Sequence, residues 1–257
     1  MRIGCLMVTA NRAPIAGIGI SSFLAAYPAT EAILLILDNH DREASPPGYV
    51  VPTVVNRLRK FRRYDQPTQR IVYEISRAPS GIEQVPALID VGCDRLFNDY
   101  ACDVVAIMDD DDYSPVDRLA QTAAVFNVDK PPAVCGYTSG WFVNLRTWYG
   151  ERVTVEPLLW GGSLAFTHAA WRRRCFTGLP PRAYDRAFAA AFEEGEKVRL
   201  EGSPIAFSHG KNVSTWPMSA GENLTALIEA LPDTVLQEVK LAQKFLIDRR
   251  IFPPQPV

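Results

Sequence analysis

The chain contains three uninterrupted apolar runs, and each has the length of a buried β-strand. They read IGCLMV at residues 3–8, AILLILD at 32–38 and DVVAIM at 103–108. A strand that is apolar at consecutive positions is buried on both faces, as in a parallel sheet covered by helices. Segments with helical spacing separate the runs, so the chain up to Asp112 predicts a doubly wound, mostly parallel α/β sheet.

The character of the sequence changes after the third run. Residues 133–157 are rich in β-branched and aromatic residues with polar interruptions, which predicts a smaller mixed part with antiparallel strands or hairpins. Residues 164–174 and 184–198 have helical spacing, and two further helical runs near the end are separated at Pro232. The chain is therefore divided into three predicted parts, residues 1–115, 116–220 and a C-terminal helical extension at 221–257.

Composition limits the class of protein. The chain has 257 residues, 47% of them hydrophobic, which is enough for a sizeable core, and its net charge of −2 excludes a polycation. The five cysteines are dispersed without a CxxC pair, which is typical of reduced thiols in a cytoplasmic protein and predicts no zinc site. The sequence has no apolar run of the roughly 18 residues that a membrane helix requires, so no membrane span is expected.

Polar side chains follow each of the three apolar runs. Thr9, Asn11 and Arg12 come after the first run, Asp38 ends the second, and the aspartates 109–112 follow the third. In open α/β sheets, ligands bind beyond the carboxyl ends of the strands, where these polar residues are expected to converge. The sequence therefore predicts a functional site at this edge of the sheet.

Four adjacent carboxylates repel one another, so the acidic run at 109–112 requires a counter-charge. If the backbone stays extended, its side chains alternate, and Asp109 and Asp111 point into the same site. Two such oxygen donors suit a hard divalent cation, Mn²⁺ or Mg²⁺, which would in turn hold a diphosphate. The alternative is a solvated acidic turn in which Asp112 caps the helix that follows.

Four segments together resemble the GT-A glycosyltransferases of the inverting family 2. They are VTANR at 8–12, LILDN at 35–39, MDDDDYSP at 108–115 and SHGKN at 208–212. Each segment alone is weak, but their order, their spacing and the strand before each of the first three are together fairly specific. The resemblance extends to about Trp216 and implies a GT-A fold, with a nucleotide-sugar-binding half at 1–115 and an acceptor-binding half at 116–220.

The resemblance also implies roles for individual residues on the donor side. Asp38 would meet the nucleotide base, Asp109 the ribose, and Asp111 the metal ion, in a run of four aspartates that allows a register shifted by one. His209 corresponds to a residue that completes the metal or diphosphate site in some relatives, and the alternative is a structural histidine. The other residues implied in donor binding are Thr9, Asn11 and Arg12 of the first loop, Asp110, and Arg95, which falls near a basic stretch that holds the donor.

On the acceptor side, the resemblance implicates a Gly-Gly segment. Gly161 and Gly162 would let the backbone approach a substrate closely, and Trp160 would stack on a sugar or a base. Basic clusters at 57–63 and 171–174 are either solvated faces or a groove for a polyanionic acceptor. Candidates are DNA with hydroxymethylated bases, favoured by a similarity of the acidic run to those of small phage-encoded glycosyltransferases, and an anionic envelope glycan.

In the family, a Glu-Asp pair supplies the catalytic base, and Asp185 corresponds to its aspartate. Tyr184 stands in place of the glutamate that precedes it. Glu193 and Glu194 are nearby substitutes for this role. A purely structural role is the alternative, since Asp185 could pair with Arg182 or Arg186 on the surface of a helix.

Taken with the resemblance, these residues predict a metal-dependent, inverting glycosyltransferase whose donor is a nucleotide sugar, with a UDP-sugar as the first candidate. Two other classes remain open. A nucleotidyltransferase would make the activated sugar on a similar sheet, and a non-catalytic module would bind a nucleotide or a glycan without turnover. Release of pyrophosphate from a sugar phosphate and UTP would identify the first of these.

Overall fold

The computed structural model describes residues 1–10, 12–26, 31–39, 51–61, 69–76, 82–209 and 221–248. Its strands are β1 (Arg2–Thr9), β2 (Glu31–Asp38), β3 (Gln69–Ile75), β4 (Val104–Ile107), β5 (Asp112–Tyr113), β6 (Val134–Gly136), β7 (Ser139–Asn144), β8 (Tyr149–Thr154), β9 (Ala165–Thr167), β10 (Lys197–Arg199), β11 (Ile205–Ser208) and β12 (Glu222–Asn223). Its α-helices are α1 (Ala13–Ala25), α2 (Val51–Phe61), α3 (Val85–Asp94), α4 (Arg118–Phe126), α5 (His168–Arg173), α6 (Tyr184–Ala189), α7 (Thr225–Glu229) and α8 (Asp233–Asp248). Short 3-10 turns cover Ile82–Gln84, Gly161–Ser163 and Glu194–Glu196, and a π turn covers Arg95–Asp99.

The strands form two sheets. The larger has the order β10-β6-β9-β4-β1-β2-β3, and the smaller has the order β12-β8-β7-β11-β5. In the larger sheet β1, β2, β3 and β4 run parallel, and β9 pairs antiparallel with both β4 and β6. Because β1 lies between β2 and β4, the strand order reverses there and opens a crevice at the carboxyl ends. The mostly parallel α/β fold predicted from the sequence is confirmed.

The three apolar runs form β1, β2 and β4, and their side chains fill the core on both faces of the sheet. Cys5 and Leu34 belong to the cluster on one face, whereas Leu6 and Leu35 belong to the cluster on the other. Alternate positions along each strand therefore enter opposite cores, which explains why the runs are apolar without interruption. None of the helices in the described ranges is long and apolar enough to span a bilayer.

Two segments with helical spacing differ from the expectation. Residues 165–167 form β9, which fills the position between β4 and β6, and the helix begins only at His168. Likewise α6 ends at Ala189, and a capping box between Glu193 and Glu196 begins a separate turn before β10. Residues 165–167 pair with β4 and β6, and residues 197–198 pair with β6, so strand pairing overrides the helical pattern at these residues by satisfying backbone groups that the sheet would otherwise leave open.

The helical tail is packed into the same core as the first helix. Predicted helical runs on both sides of Pro232 are confirmed as α7 and α8. Val235, Val239 and Leu246 of α8 share a buried cluster with Ile15 and Ile18 of α1 and with residues of β7 and β11. A salt bridge between Glu238 and Arg57 also ties α8 to α2. The described part of the segment 221–257 is therefore joined to the sheet by a common core.

If α8 belongs to this core, truncating its buried face must destabilise the whole fold. We expect Leu246→Ala, at a side chain that is 0% exposed, to lower the free energy of unfolding by about 2–5 kcal/mol through lost burial and a residual cavity. Leu241→Ala, at a side chain of the same helix that is 45% exposed, is the control and should change it by less than about 0.5 kcal/mol. Urea denaturation measures both, and equal small effects would contradict the shared core.

Candidate active site

The acidic run lies where the chain crosses from one sheet to the other. It leaves β4 at Ile107, and Asp112 already belongs to β5, where it pairs with Ala206 of β11. Asp110 and Asp111 are 1% and 7% exposed, so the run is not a solvated turn. The residues between the two strands form a turn rather than an extended strand, and the alternation expected from the sequence therefore does not apply.

Arg12 supplies the counter-charge that the acidic run requires. Its Nη2 donates to Oδ1 of Asp110 at 2.6 Å, and its Nη1 donates to Oδ2 of Asp111 at 3.1 Å. The hydroxyl of Thr9 donates to the other oxygen of Asp110 at 2.6 Å. Burial alone would lower the pKa of Arg12, but Asp110 and Asp111 raise it, so the guanidinium stays charged. The loop after β1 thereby holds two adjacent carboxylates.

His209 approaches the same region from the end of β11. It is completely buried, and its Nε2 lies 2.9 Å from Oδ2 of Asp111. Burial would raise the pKa of Asp111, but Arg12 and His209 together lower it below the ordinary value for an aspartate. Asp109 has the opposite balance, because burial and then the neighbouring charges of Asp111 and Asp110 raise its pKa. Asp111 is therefore the carboxylate of this set that is held most firmly in its charged form.

The geometry at Asp111 and His209 fits a divalent ion held jointly with a ligand. Two neighbouring ligands of an octahedral ion, each about 2.1 Å from the metal, lie about 3 Å apart. The separation of 2.9 Å between Oδ2 of Asp111 and Nε2 of His209 is a hydrogen bond in the structure, and an ion bound by both groups at this spacing would replace that bond. Within the described ranges, no group of three or more His, Cys, Asp or Glu residues could hold a metal by itself. Phosphate oxygens would have to complete the coordination, as is usual for Mg²⁺.

A Gly-Gly turn brings the carboxylate of Asp185, which lies outside the acidic run, close to that run. The 3-10 turn Gly161–Ser163 lies between two aspartates, since a Cβ on Gly161 would clash with the carboxylate of Asp185 and one on Gly162 with that of Asp109. Only glycine permits this approach, because any side chain here would displace one of the two carboxylates. The structure thus places Asp185, in the first turn of α6, next to the acidic run.

These elements surround a cavity of about 320 Å³ at the carboxyl ends of β1 and β4. Trp160 forms part of its wall and packs against Phe142 with ring centroids 5.0 Å apart. The lining is partly apolar and partly polar, and the polar part includes several of the candidate site residues. The apolar lining includes Leu6, Val8, Val85, Ile89 and Ile107; the polar lining includes Arg12, Asp109, Asp110, Asp111 and Asp185. A cavity of this composition is typical of small-molecule sites.

Arg118 is a buried residue of the site that the sequence analysis missed. It is 2% exposed, and its Nη2 donates to the carbonyl of Ile107 at 2.6 Å. Its Nη1 donates to the carbonyl of Gly162 and to the hydroxyl of Ser114, both at 3.1 Å. One guanidinium therefore connects the end of β4, the segment after the acidic run and the Gly-Gly turn. A single arginine in an amphipathic helix gives no signal of this role in the sequence.

Other predicted donor residues lie outside the cavity or outside the described ranges. Asp38 is 2% exposed at the end of β2, next to Thr9 in the sheet, and accepts a hydrogen bond from the hydroxyl of Tyr73 at 2.8 Å. Arg95 is half exposed, pairs with Asp99 and is not among the cavity-lining residues, so the structure gives no support for its role in the donor site. Asn11 lies outside the described residues.

Neither substitute for the base lies in the cavity wall. Glu193 caps the turn that precedes β10, and Glu194 pairs with Lys197. Of the basic cluster 171–174, Arg173 pairs with Glu196, whose carbonyl accepts a hydrogen bond from the backbone N–H of Ala133, immediately before β6. This is the amino edge of the parallel strands, opposite to the cavity. The side chains of 59–63 in the other cluster lie outside the described residues.

Comparison with known proteins supports the fold. No protein-family model matches the chain, and no curated protein matches it. The mannosyltransferase PcManGT from Pyrobaculum calidifontis, solved with GDP-Man and Mn²⁺, is similar with a TM-score of 0.53 and 14% identity, over 99% of this chain and 76% of that one. S. aureus TarS 1-349 in complex with UDP-GlcNAc is similar with a TM-score of 0.52 and 13% identity, over 98% of this chain and 73% of that one.

The same TarS fragment in complex with UDP gives a TM-score of 0.54 at 14% identity, over 98% of this chain and 72% of that one. At such identities the likeness shows the fold alone. The chain has a GT-A-like glycosyltransferase fold, and the fold that the resemblance implied is confirmed. The roles of the individual residues rest on the geometry of the site.

The role of Arg12 as the counter-charge of the acidic run can be tested by replacing its side chain with an uncharged one. We expect Arg12→Met to lower the free energy of unfolding by about 3–5 kcal/mol, because two buried carboxylates lose their cation. Arg95→Met is the matched control: that arginine also pairs with a carboxylate, but at the surface, where the loss should be below about 1 kcal/mol. Chemical denaturation at pH 7 measures both, and equal losses would show that Arg12 does not stabilise the acidic run.

Proposed function

We propose that this protein is an inverting glycosyltransferase that moves a sugar from a nucleotide-sugar donor, in the first place a UDP-sugar, to an acceptor hydroxyl. One observation carries the proposal. The Gly-Gly turn brings Asp185 against the acidic run inside a cavity at the switch point of a GT-A-like sheet. A site of this kind combines a place for a diphosphate with a carboxylate that can accept a proton.

The donor would bind at the end of the cavity formed by the loops after β1 and β4. Asp111 and His209 would hold a divalent ion, Mn²⁺ or Mg²⁺, and the complex of PcManGT with Mn²⁺ is consistent with such use. When bound, this ion supplies positive charge that neutralises the leaving diphosphate. Arg12 lies beside Asp111 and adds a fixed positive charge to the same end of the cavity. Thr9 and Asp110 keep that guanidinium in position.

The acceptor would bind beside Asp185, across the Gly-Gly turn from Asp109. The acceptor oxygen forms a bond to the anomeric carbon of the sugar, while the bond from that carbon to the diphosphate oxygen breaks. The proton of the attacking hydroxyl passes to the carboxylate of Asp185, and the pair of electrons leaves with the diphosphate. Attack from the face opposite to the leaving group inverts the configuration. A single base is sufficient for this reaction, which agrees with Tyr184 in place of a second carboxylate.

The walls of the cavity would orient the substrates and limit access of water. Trp160, 7% exposed and packed against Phe142, presents an aromatic surface on which a sugar face can lie. The apolar side chains of the lining, such as Leu6, Val8 and Ile107, offer no hydrogen-bonding groups to water. Gly162 is held by the bond from Arg118 to its carbonyl, so that the turn between the two carboxylates has a fixed position.

The proposed metal site makes donor binding depend on a divalent cation. We expect Mn²⁺ to strengthen the binding of UDP by at least about tenfold, and Asp111→Asn to abolish this gain, because the ion loses a charged ligand. Asp117→Asn is the control, since Asp117 is an exposed residue that bonds only to Gln121 in the described structure. Calorimetric titration with Mn²⁺ or with EDTA measures these affinities. Equal affinity of the unmodified protein under both conditions would exclude the metal site.

The proposed base is tested by turnover rather than by affinity. We expect Asp185→Asn to keep the affinity for UDP but to lower turnover by at least about a hundredfold, the usual effect of losing a general base. Glu193→Gln, at an exposed residue outside the cavity, should retain turnover. A thermal-shift screen with nucleotide sugars identifies the donor, and its hydrolysis is then measured. Near-normal hydrolysis by the Asp185 variant would remove this residue from the mechanism, and pyrophosphate release from UTP would favour a nucleotidyltransferase.

The pH dependence of turnover follows from the environment of Asp185. Burial raises the pKa of this carboxyl, and the backbone and side chain of Arg186 offset only part of the rise. A base acts only in its ionised form, so kcat/KM should fall as the pH decreases through this raised pKa. The acid limb should therefore lie above pH ~4, the ordinary range of an aspartate. A profile that stays flat down to pH ~4 would contradict the assignment.

A further inference from the structure

Two arginines in the cavity wall take no part in the chemistry described so far. Arg182 and Arg186 flank Asp185 in the chain, and both line the cavity while remaining exposed. Neither forms an ion pair with a carboxylate of the described residues. Six other arginines of the described residues do form such pairs: Arg2, Arg12, Arg57, Arg95, Arg173 and Arg199.

The two arginines are neighbours of Asp185 in the chain, whereas Arg12, the cation proposed for the donor, contacts Asp110 and Asp111. Successive contacts lead from Arg12 and Asp111 along the acidic run to Asp109, and then across the Gly-Gly turn to Asp185. The donor diphosphate belongs at the first end of this series, where Arg12 and the candidate metal ligands lie. Arg182 and Arg186 come with Asp185 at the other end, where the acceptor would enter.

Strengthening the base does not explain these arginines. A guanidinium near a carboxylate favours the ionised form, and Arg186 accordingly lowers the pKa of Asp185, although burial raises it more. A lower pKa makes Asp185 a weaker base. Two exposed cations that line a cavity without an ion pair among the described residues are instead suited to recognising an anion, because a guanidinium can bind phosphate or carboxylate through two parallel hydrogen bonds.

We propose that Arg182 and Arg186 form an anion-binding subsite for the acceptor, so that the acceptor carries a phosphate or a carboxylate near the hydroxyl that receives the sugar. The proposal rests on the proposed function for the identity of the ligand. It also assigns anion recognition to the cavity, rather than to the cluster 171–174 that the sequence suggested. Arg173 of that cluster pairs with Glu196 at the opposite edge of the sheet.

The test uses three probes that share a three-carbon skeleton: neutral glycerol, glycerate with a carboxylate, and glycerol 3-phosphate with a phosphate ester. Each is titrated calorimetrically into the full chain with UDP and Mn²⁺, and again without them. We expect at least one anion to bind about tenfold more tightly than glycerol, and the variant Arg182→Gln/Arg186→Gln to lose that preference. Arg182→Lys/Arg186→Lys should keep part of it, because charge is retained without the planar fork. The control is Arg172→Gln/Arg174→Gln, at exposed arginines outside the cavity, which should bind like the unmodified protein.

Each outcome decides the proposal. Equal binding of glycerol and both anions by the unmodified protein, or an unchanged preference in the Gln variant, would overturn it. A loss of UDP affinity in the Gln variant without a change in anion binding would also overturn it, because the arginines would then belong to the donor. Tighter binding of glycerol 3-phosphate identifies a phosphate-bearing acceptor, and tighter binding of glycerate identifies a carboxylate. If the unmodified protein binds no nucleotide sugar in the thermal-shift screen but keeps the arginine-dependent anion binding, the anion site stands and the glycosyltransferase proposal fails.

Discussion

The paired contact of Arg12 with Asp110 and Asp111 is the interaction on which the rest of the site depends. Carboxylates this deeply buried are tolerated only when a cation and further hydrogen bonds compensate them. Thr9 and His209 supply such bonds from the ends of β1 and β11. Because these residues come from distant parts of the chain, neutralising the acidic run also fixes the larger sheet relative to the smaller one.

The crossing between the sheets explains why the acidic residues are consecutive. Asp109 follows the last strand of the parallel set, whereas Asp112 is already paired in the smaller sheet, so the run passes through both environments within four residues. Arg118 holds the two ends of this crossing by its bonds to the carbonyl of Ile107 and the hydroxyl of Ser114. Its third bond, to Gly162, places the turn against which Asp185 packs. The site is thus a consequence of how the sheets are joined.

The sequence predicted those features that depend on local patterns. β1, β2 and β4 were recognisable because burial on both faces leaves an unbroken apolar run, and the position of the site followed from the polar residues at their carboxyl ends. β9 could not be recognised, because three residues become a strand only through pairing with β4 and β6. Arg95 was chosen for its closeness to a motif in the chain, which does not specify where its side chain points. Arg118 gave no signal because its partners are mostly backbone carbonyls of remote segments.

The same electrostatic arrangement separates the carboxylates into two functional kinds. Arg12 and His209 lower the pKa of Asp111, which therefore keeps its charge and is suited to a cation or to fixed contacts. Burial raises the pKa of Asp185, and only Arg186 and backbone groups oppose it, so this carboxylate can take up a proton more readily. When their environments give two nearby acids different pKa values, one acid can serve in binding and the other in proton transfer. The turn formed by Gly161 and Gly162 lies between Asp185 and Asp109, whose pKa burial also raises, so the charged Asp111 is not in direct contact with the proposed base across this turn.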